Sequence, residues 1–167
     1  MPFGKAFVYQ APKRKKTEVF WSGITGLTLT ADTDYNLVAL LKALPAPAFG
    51  TLAPFFNTVS DKLNAYNDNA SLMFKLNLAG LWSAATENRS MQLDFLGTNG
   101  NRLVASRDAA VLPDVVTLAT FFSIDRDGGI VTNGTSPIIR SNNGSYAPSA
   151  ILLIAEQNTR QTLISAV

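Results

Sequence analysis

From residue 71 onward, apolar and polar positions alternate with the period of two that marks half-buried strands. In "SLMFKLNL", Leu72, Phe74, Leu76 and Leu78 fall on one face, and in "MQLDFLG" Met91, Leu93 and Phe95 do the same. "NRLVAS", "DVVTLATFFSI", "GIVT", "PIIRS" and "SAILLIAEQ" continue the series, separated by clusters of turn residues. Upstream, "TEVFW" and "GLTLTADT" read as short strands rich in β-branched and aromatic residues. Between them and the main series the period changes. "DYNLVALLKAL" repeats its apolar positions (Leu37, Val38, Leu40, Leu41, Leu44) at helical spacing, with Thr33 or Asp34 placed to cap it and Pro45 to stop it. This predicts a short helix near 35–44. "TVSDKLNAYNDN" reads as one or two helical turns, and "PAPAFGTLAPFF" as a proline-broken apolar loop packed across an end of the domain or against a partner. Strands without intervening helices exclude a parallel α/β sheet and predict a single antiparallel β-sandwich.

The stretch "SIDRDGGIVTNG" resembles a calcium loop only superficially. Counted from Asp125, Gly129 stands where an oxygen ligand is required, Ile130 replaces the glycine, and Ser136 replaces the bidentate Glu. Asp-Gly-Gly is better read as a chain reversal into a strand starting at Ile130, and Asn133-Gly134 and Asn142-Asn143-Gly144 as further turns.

A chain of 167 residues is long enough for one domain with a sizeable core. It has neither cysteine nor histidine, which removes disulfides, thiolate sites, the usual base of nucleophilic triads and the commonest transition-metal ligand. Charged residues are 16%, well under the usual quarter. Low charge suits extensive protein contacts more than electrostatic steering. The pairs Asp32 with Asp34 and Asp125 with Asp127 are the candidates for acid–base chemistry, but each occupies a turn or cap position where Asp is common anyway. No catalytic activity, cofactor or metal is expected. No apolar run is long enough for a membrane span, and the first residues lack the apolar centre of a signal peptide, so no membrane role is expected. Four Asn-x-Ser/Thr sequons, at Asn69, Asn88, Asn133 and Asn143, are read as a by-product of turn composition.

The net charge of +2 conceals a division: residues 1–16 carry +5 with no acid, leaving −3 for the rest. Residues 1–22 read as an extended arm, basic through Lys13, Arg14, Lys15 and Lys16 and aromatic through Phe3, Phe7, Tyr9, Phe20 and Trp21. Residues 23–167 read as the sandwich domain. The arm's basic run suits an acidic protein surface. Nucleic acid is not expected as its partner, because nucleic-acid binders also spread basic side chains over the body, which here is negative. Phe20, Trp21 and Trp82 could alternatively stack on sugar rings, although aromatics in strand-rich chains more often fill the core or a subunit contact.

The pattern of "GLTLTADTDYNLVALLKAL", "LMFKLNLAG", "MQLDFLG", "RLVASRDA" and "ILLIAEQ" resembles the small β-sandwich proteins that decorate or cement the heads of tailed bacteriophages, with related jelly-roll modules in phage fibres. The resemblance implies a jelly-roll-like sandwich, no enzymatic activity, a trimer, and attachment to the major capsid protein through an extended terminus. The site residues would then be those of the arm, and the location the capsid surface of a virion. A small viral coat protein with a genome-contacting basic arm and a carbohydrate-binding fibre module are the alternatives.

Overall fold

The computed structural model describes residues 13–84, 86–97 and 101–159. Two four-stranded antiparallel sheets face each other. The first has the order β1 (Lys13–Ser22), β10 (Tyr146–Thr159), β5 (Ala70–Trp82), β8 (Pro113–Ile124). The second has the order β2 (Asp34–Asn36), β9 (Ser136–Asn142), β6 (Arg89–Leu96), β7 (Arg102–Arg107). Omitting the two-residue strands β3 (Phe56–Asn57) and β4 (Lys62–Leu63), the eight sheet strands read 1-8-3-6 and 2-7-4-5 in chain order. Two sheets interleaved in this way are a jelly roll, as expected.

The alternation seen in the sequence decides what is buried. Leu72, Phe74, Leu76 and Leu78 of β5 meet Met91, Leu93 and Phe95 of β6, all at most 2% exposed. At the centre four rings are in edge contact: Phe56 with Phe74 (6.4 Å between centroids), Phe74 with Phe95 (5.0 Å) and Phe95 with Phe122 (4.8 Å). Phe95 alone of these comes from the second sheet, so it ties the two layers together. Each such side chain contributes roughly 1.5–3 kcal/mol by leaving water.

One end of the sandwich is closed by a hydrogen-bonded polar cluster, within which the buried Arg89 Nε has no partner. The Trp82 Nε1–H donates to Asp114 (3.1 Å), which also receives Arg107 Nε (2.6 Å). The Tyr146 hydroxyl donates to the Leu78 carbonyl at 2.8 Å, and its burial, with Asp114 nearby, pushes its pKa well up. The buried Arg89 guanidinium lies over Trp82 and donates to the carbonyls of Ser83 and Ala109.

Several expectations are corrected. The helix is shorter than 35–44: α1 spans Leu37–Lys42, and its cap is Asn36, whose Oδ1 accepts from the amides of Val38 (2.9 Å) and Ala39 (3.1 Å). Asp34 instead pairs with Arg140 in the second sheet, and Thr33 lies before the strand. The "TVSDKLNAYNDN" stretch forms no helix. Asn57 accepts from the amides of Val59 and Ser60, Asp61 takes a positive φ of 54°, and the chain reverses into the β3–β4 hairpin. "GLTLTADT" makes only isolated bridges, through Leu29 and Ala31. "GIVT" is no strand either: Gly129–Asn133 is a short helix, α2, held by Thr132 bonding back to Gly128 through both its amide and its hydroxyl (3.0 Å each). The Asp-Gly-Gly stretch does turn the chain, with Asp127 at φ 61°. Because β8 and β9 lie in different sheets, the connection is longer than a hairpin.

The largest change concerns the arm. Lys13–Ser22 pairs with β10 along its whole length, from Lys13 opposite Thr159 to Ser22 opposite Ala150. Thr17, Val19 and Trp21 alternate inward and are buried, which gives these residues a place in the sheet that a free arm would lack.

Candidate assembly surface

The outer faces of the two sheets differ in chemistry. On the second sheet, outward side chains form a polar lattice. Arg140 reaches Asp34 (3.3 Å), Asp32 (3.4 Å) and Asn142 (2.9 Å), and Asp94 receives Arg102 (2.6 Å) and Gln92 (2.7 Å). Asp32 and Asp34 are thus held by one arginine. Asp127 is engaged by Asn67 (2.8 and 2.9 Å). Among the described residues no three carboxylates converge as a metal site would require.

The first sheet presents something else. Outward positions of β5 and β8 stand opposite one another as Met73–Phe121, Lys75–Ala119, Asn77–Thr117, Ala79–Val115 and Leu81–Pro113. Met73 is 57% exposed, Leu81 54%, Val115 56% and Phe121 69%. Four large apolar side chains lie on one face in two exposed clusters, Met73 with Phe121 and Leu81 with Val115, separated by the Lys75–Ala119 and Asn77–Thr117 pairs; exposed apolar clusters of this kind mark interaction sites. The neighbouring half, from β10 and β1, continues with Leu152 and Ile154 beside Phe20, and ends in charges at Glu18, Glu156, Lys16 and Arg14.

The sequence-derived partner residues are dispersed by this geometry. Phe3, Phe7 and Tyr9 lie outside the described residues. Trp21 is 4% exposed and donates its indole N–H to the Pro45 carbonyl (3.2 Å), so it is core. Phe20 is half-buried and packs on Phe49, with centroids 5.7 Å apart. Trp82 is 1% exposed, so the three aromatics weighed as a sugar platform do not form one. Three of the four basic residues in the run already have partners within the domain. Arg14 pairs with Glu156 (2.6 Å), Lys16 pairs with Glu18, and Lys15 sits 3.3 Å over the Tyr66 ring. The expected apolar loop is mostly inward too: Phe55 and Phe56 are buried, and Phe49 is half exposed. What sequence reasoning missed was the outward register of β5 and β8. Its signal was Met73, Val115, Ala119 and Phe121 at positions that ordinary alternation gives to polar residues.

Hydrogen bonds from Arg14, with a further one from Asn158, hold the Glu156 carboxyl at about 2, below its ordinary 4.5. A carboxyl depressed in the folded state adds stability that is complete above its unfolded value and lost as pH falls toward the folded one. Thermal midpoints should therefore fall between about pH 4.5 and about pH 2 partly through this pair. Glu156→Gln should flatten the wild-type profile in that window; identical profiles would show that the pair contributes nothing.

A jelly roll with a polar lattice on one outer face and exposed apolar clusters on the other has the make-up of a module that meets other proteins. The comparison with known proteins gives that class a family. The chain belongs to the Sf6-type phage tail needle knob or tip family of some Caudovirales, which matches residues 13–157. It is 50% identical over 147 residues to the tail needle protein of Shigella phage Sf6, an alignment covering 88% of this chain and 51% of that protein. The chain thus spans about half the length of the curated relative it matches. Among solved structures it resembles the PRD1 vertex protein P5 (TM-score 0.47, 13% identity, 87% of this chain and 96% of the other). It also resembles a virus-like particle of the giant freshwater prawn Macrobrachium rosenbergii extra small virus (TM-score 0.33, 12% identity, 96% and 88%). The family is one of phage virion structural proteins, and it corrects the expected role: a tail component replaces the head decoration or cement protein, and the major capsid protein loses its support as partner.

Proposed function

We propose that this chain is the knob of a phage tail needle, a non-enzymatic part that assembles as a trimer. The outer face of the first sheet is turned toward the other copies and the polar face of the second toward solvent. The carrying observation is the exposed Met73, Phe121, Leu81 and Val115 on the outer face of β5 and β8, where Lys75 is the charged residue among the outward pairs. Covering it in an assembly removes from water what a monomer would leave exposed. Family membership over residues 13–157 supports the needle-knob role. The polar lattice around Arg140 and Asp94 suits a face that stays wet.

Light scattering of the purified chain should give the mass of three copies. Phe121→Asp, which places a charge in the patch without touching the core, should weaken association by roughly 100-fold or more. A monomeric wild type at micromolar concentration would end the trimer reading. The location is tested separately, on virions that carry the protein. Antibody against the domain should label the distal end of the tail, and labelling over the head surface would overturn the needle assignment.

A further inference from the structure

A ring of three copies cannot be closed by one patch meeting its own image, an arrangement that gives a two-fold dimer. Each copy needs two unlike surfaces, one for each neighbour. The outer face of β5 and β8 is one of them, and the strand edges point to the other. An open sheet edge is a pairing hazard that proteins cover, shorten or charge. The β1 edge is covered by the loop at Ala48 and Phe49, whose backbone bonds to Phe20. The β2 edge is only three residues long. The remaining edges, β7 and β8, lie side by side, joined by residues 108–112 and by the Arg107–Asp114 pair. β8 is twelve residues long and has no charged residue from Val115 to Ile124, so it lacks each of these protections.

The β7–β8 side is also apolar and within a neighbour's reach. Val104 in β7 is 53% exposed and Leu112 in the link is 39% exposed. Its arginines, Arg102 and Arg107, already pair with Asp94 and Asp114 of the same copy, so covering this side strands no lone charge. The opposite margin of the first sheet instead carries the exposed charges of Arg14, Lys16 and Glu18. Resting on the trimer reading, we infer that the β7–β8 side of one copy seats on the outer face of the first sheet of the next. Every copy then gives its side to one neighbour and its face to the other, and the three contacts close. The seating brings Val104 and Leu112 toward the clusters of Met73 with Phe121 and Leu81 with Val115, and it shields the β8 edge from other chains. Only the β7 margin of the second sheet takes part, which leaves the lattice around Arg140 wet.

The test uses the full-length chain, with light scattering for mass and circular dichroism to establish folding. Val104→Asp changes an exposed side chain that is not on the face itself, and it should weaken trimer formation by roughly 10-fold or more. Cross-linking then reports which surfaces meet. The sequence has no cysteine, so Met73→Cys and Val104→Cys supply the only thiols. They lie on the outer faces of different sheets, beyond the reach of a short bis-maleimide within one copy. Each single variant should stay uncross-linked, and the double variant should give covalent trimers. Covalent dimers from Met73→Cys alone would show that face meets face and overturn the inference. A trimeric double variant without links between copies would overturn it too. So would Val104→Asp trimers of wild-type affinity while Phe121→Asp dissociates, and in that case the assembly face stands. If Phe121→Asp also leaves the trimer intact, the face itself is wrong and the inference falls with it. Should Val104→Asp misfold, the cross-linking alone decides.

Discussion

Phe95→Ala should lower the unfolding free energy by about 3–5 kcal/mol, the usual cost of removing a buried ring. Phe95 is 2% exposed and comes from β6 of the second sheet, but its ring neighbours, Phe74 at 5.0 Å and Phe122 at 4.8 Å, belong to the first. Truncation removes the ring's transfer energy and its edge contacts together, and leaves a void between two sheets whose backbones are fixed by their own ladders. Collapse cannot fill it, which puts the site toward the costly end of the range. Urea unfolding measures the change as a shift in midpoint at unchanged slope. A loss under about 1 kcal/mol would show that the layers close around the gap and that the ring stack is not what joins them.

Gly50→Ala should cost about 2–5 kcal/mol, from two separate causes. At φ 84° the residue is in the region that L side chains avoid, and an added Cβ would lie 1.9 Å from the backbone oxygen of Glu18 and 3.0 Å from Val19 Cα. Backbone cannot swing aside as a side-chain tip can, so the loop or the strand must move. That loop covers the free edge of β1: the Phe20 amide donates to Phe49 (3.0 Å), and the Ala48 amide donates to Phe20 (2.8 Å). Displacing it uncovers an edge, and uncovered edges pair with other chains. The comparison is Gly26→Ala, at φ 77° with nothing within 4 Å of the added carbon, which carries only the conformational cost. Melting temperatures should fall much further for the Gly50 variant, together with greater aggregation on heating. Equal shifts would mean that close approach to β1 plays no part.

The fold was legible where burial and period agree. Leu72 to Leu78 and Met91 to Phe95 each place every second residue in one core, and a chain of such strands without helices leaves few architectures. Local side-chain chemistry obscured the connections. Asn36 caps α1, but in the sequence it is one polar residue among several, and Asp34 and Thr33 look equally suitable. Asp61 and Asp127 take positive φ, which their identity permits without requiring it. Residues 13–16 carry four charges and so read as a free tail. Their pairing partner, the segment ending at Thr159, is more than 140 residues away, and no local pattern announces so distant a ladder. The assembly surface was harder still. Met73, Val115 and Phe121 are the sort of residue that pattern reasoning assigns to a core, and only their alternation with the buried Leu72, Val116 and Phe122 turns them to the outside.

The pairing of β1 with β10 has a mechanical consequence. Lys13 stands beside Thr159, so the start of β1 and the end of β10 lie at the same pole of the domain, and the strands can part from that pole like the two sides of a seam. Tension that draws residues 13 and 159 apart acts on the terminal rung first, and passes to the next only when that one has given way. Tension along β1 itself, away from the loop at Phe49, loads all the rungs together and must overcome their sum. The same ten paired positions are therefore weak against peeling and strong against sliding. A load-bearing use of this domain would have to pull along the strand.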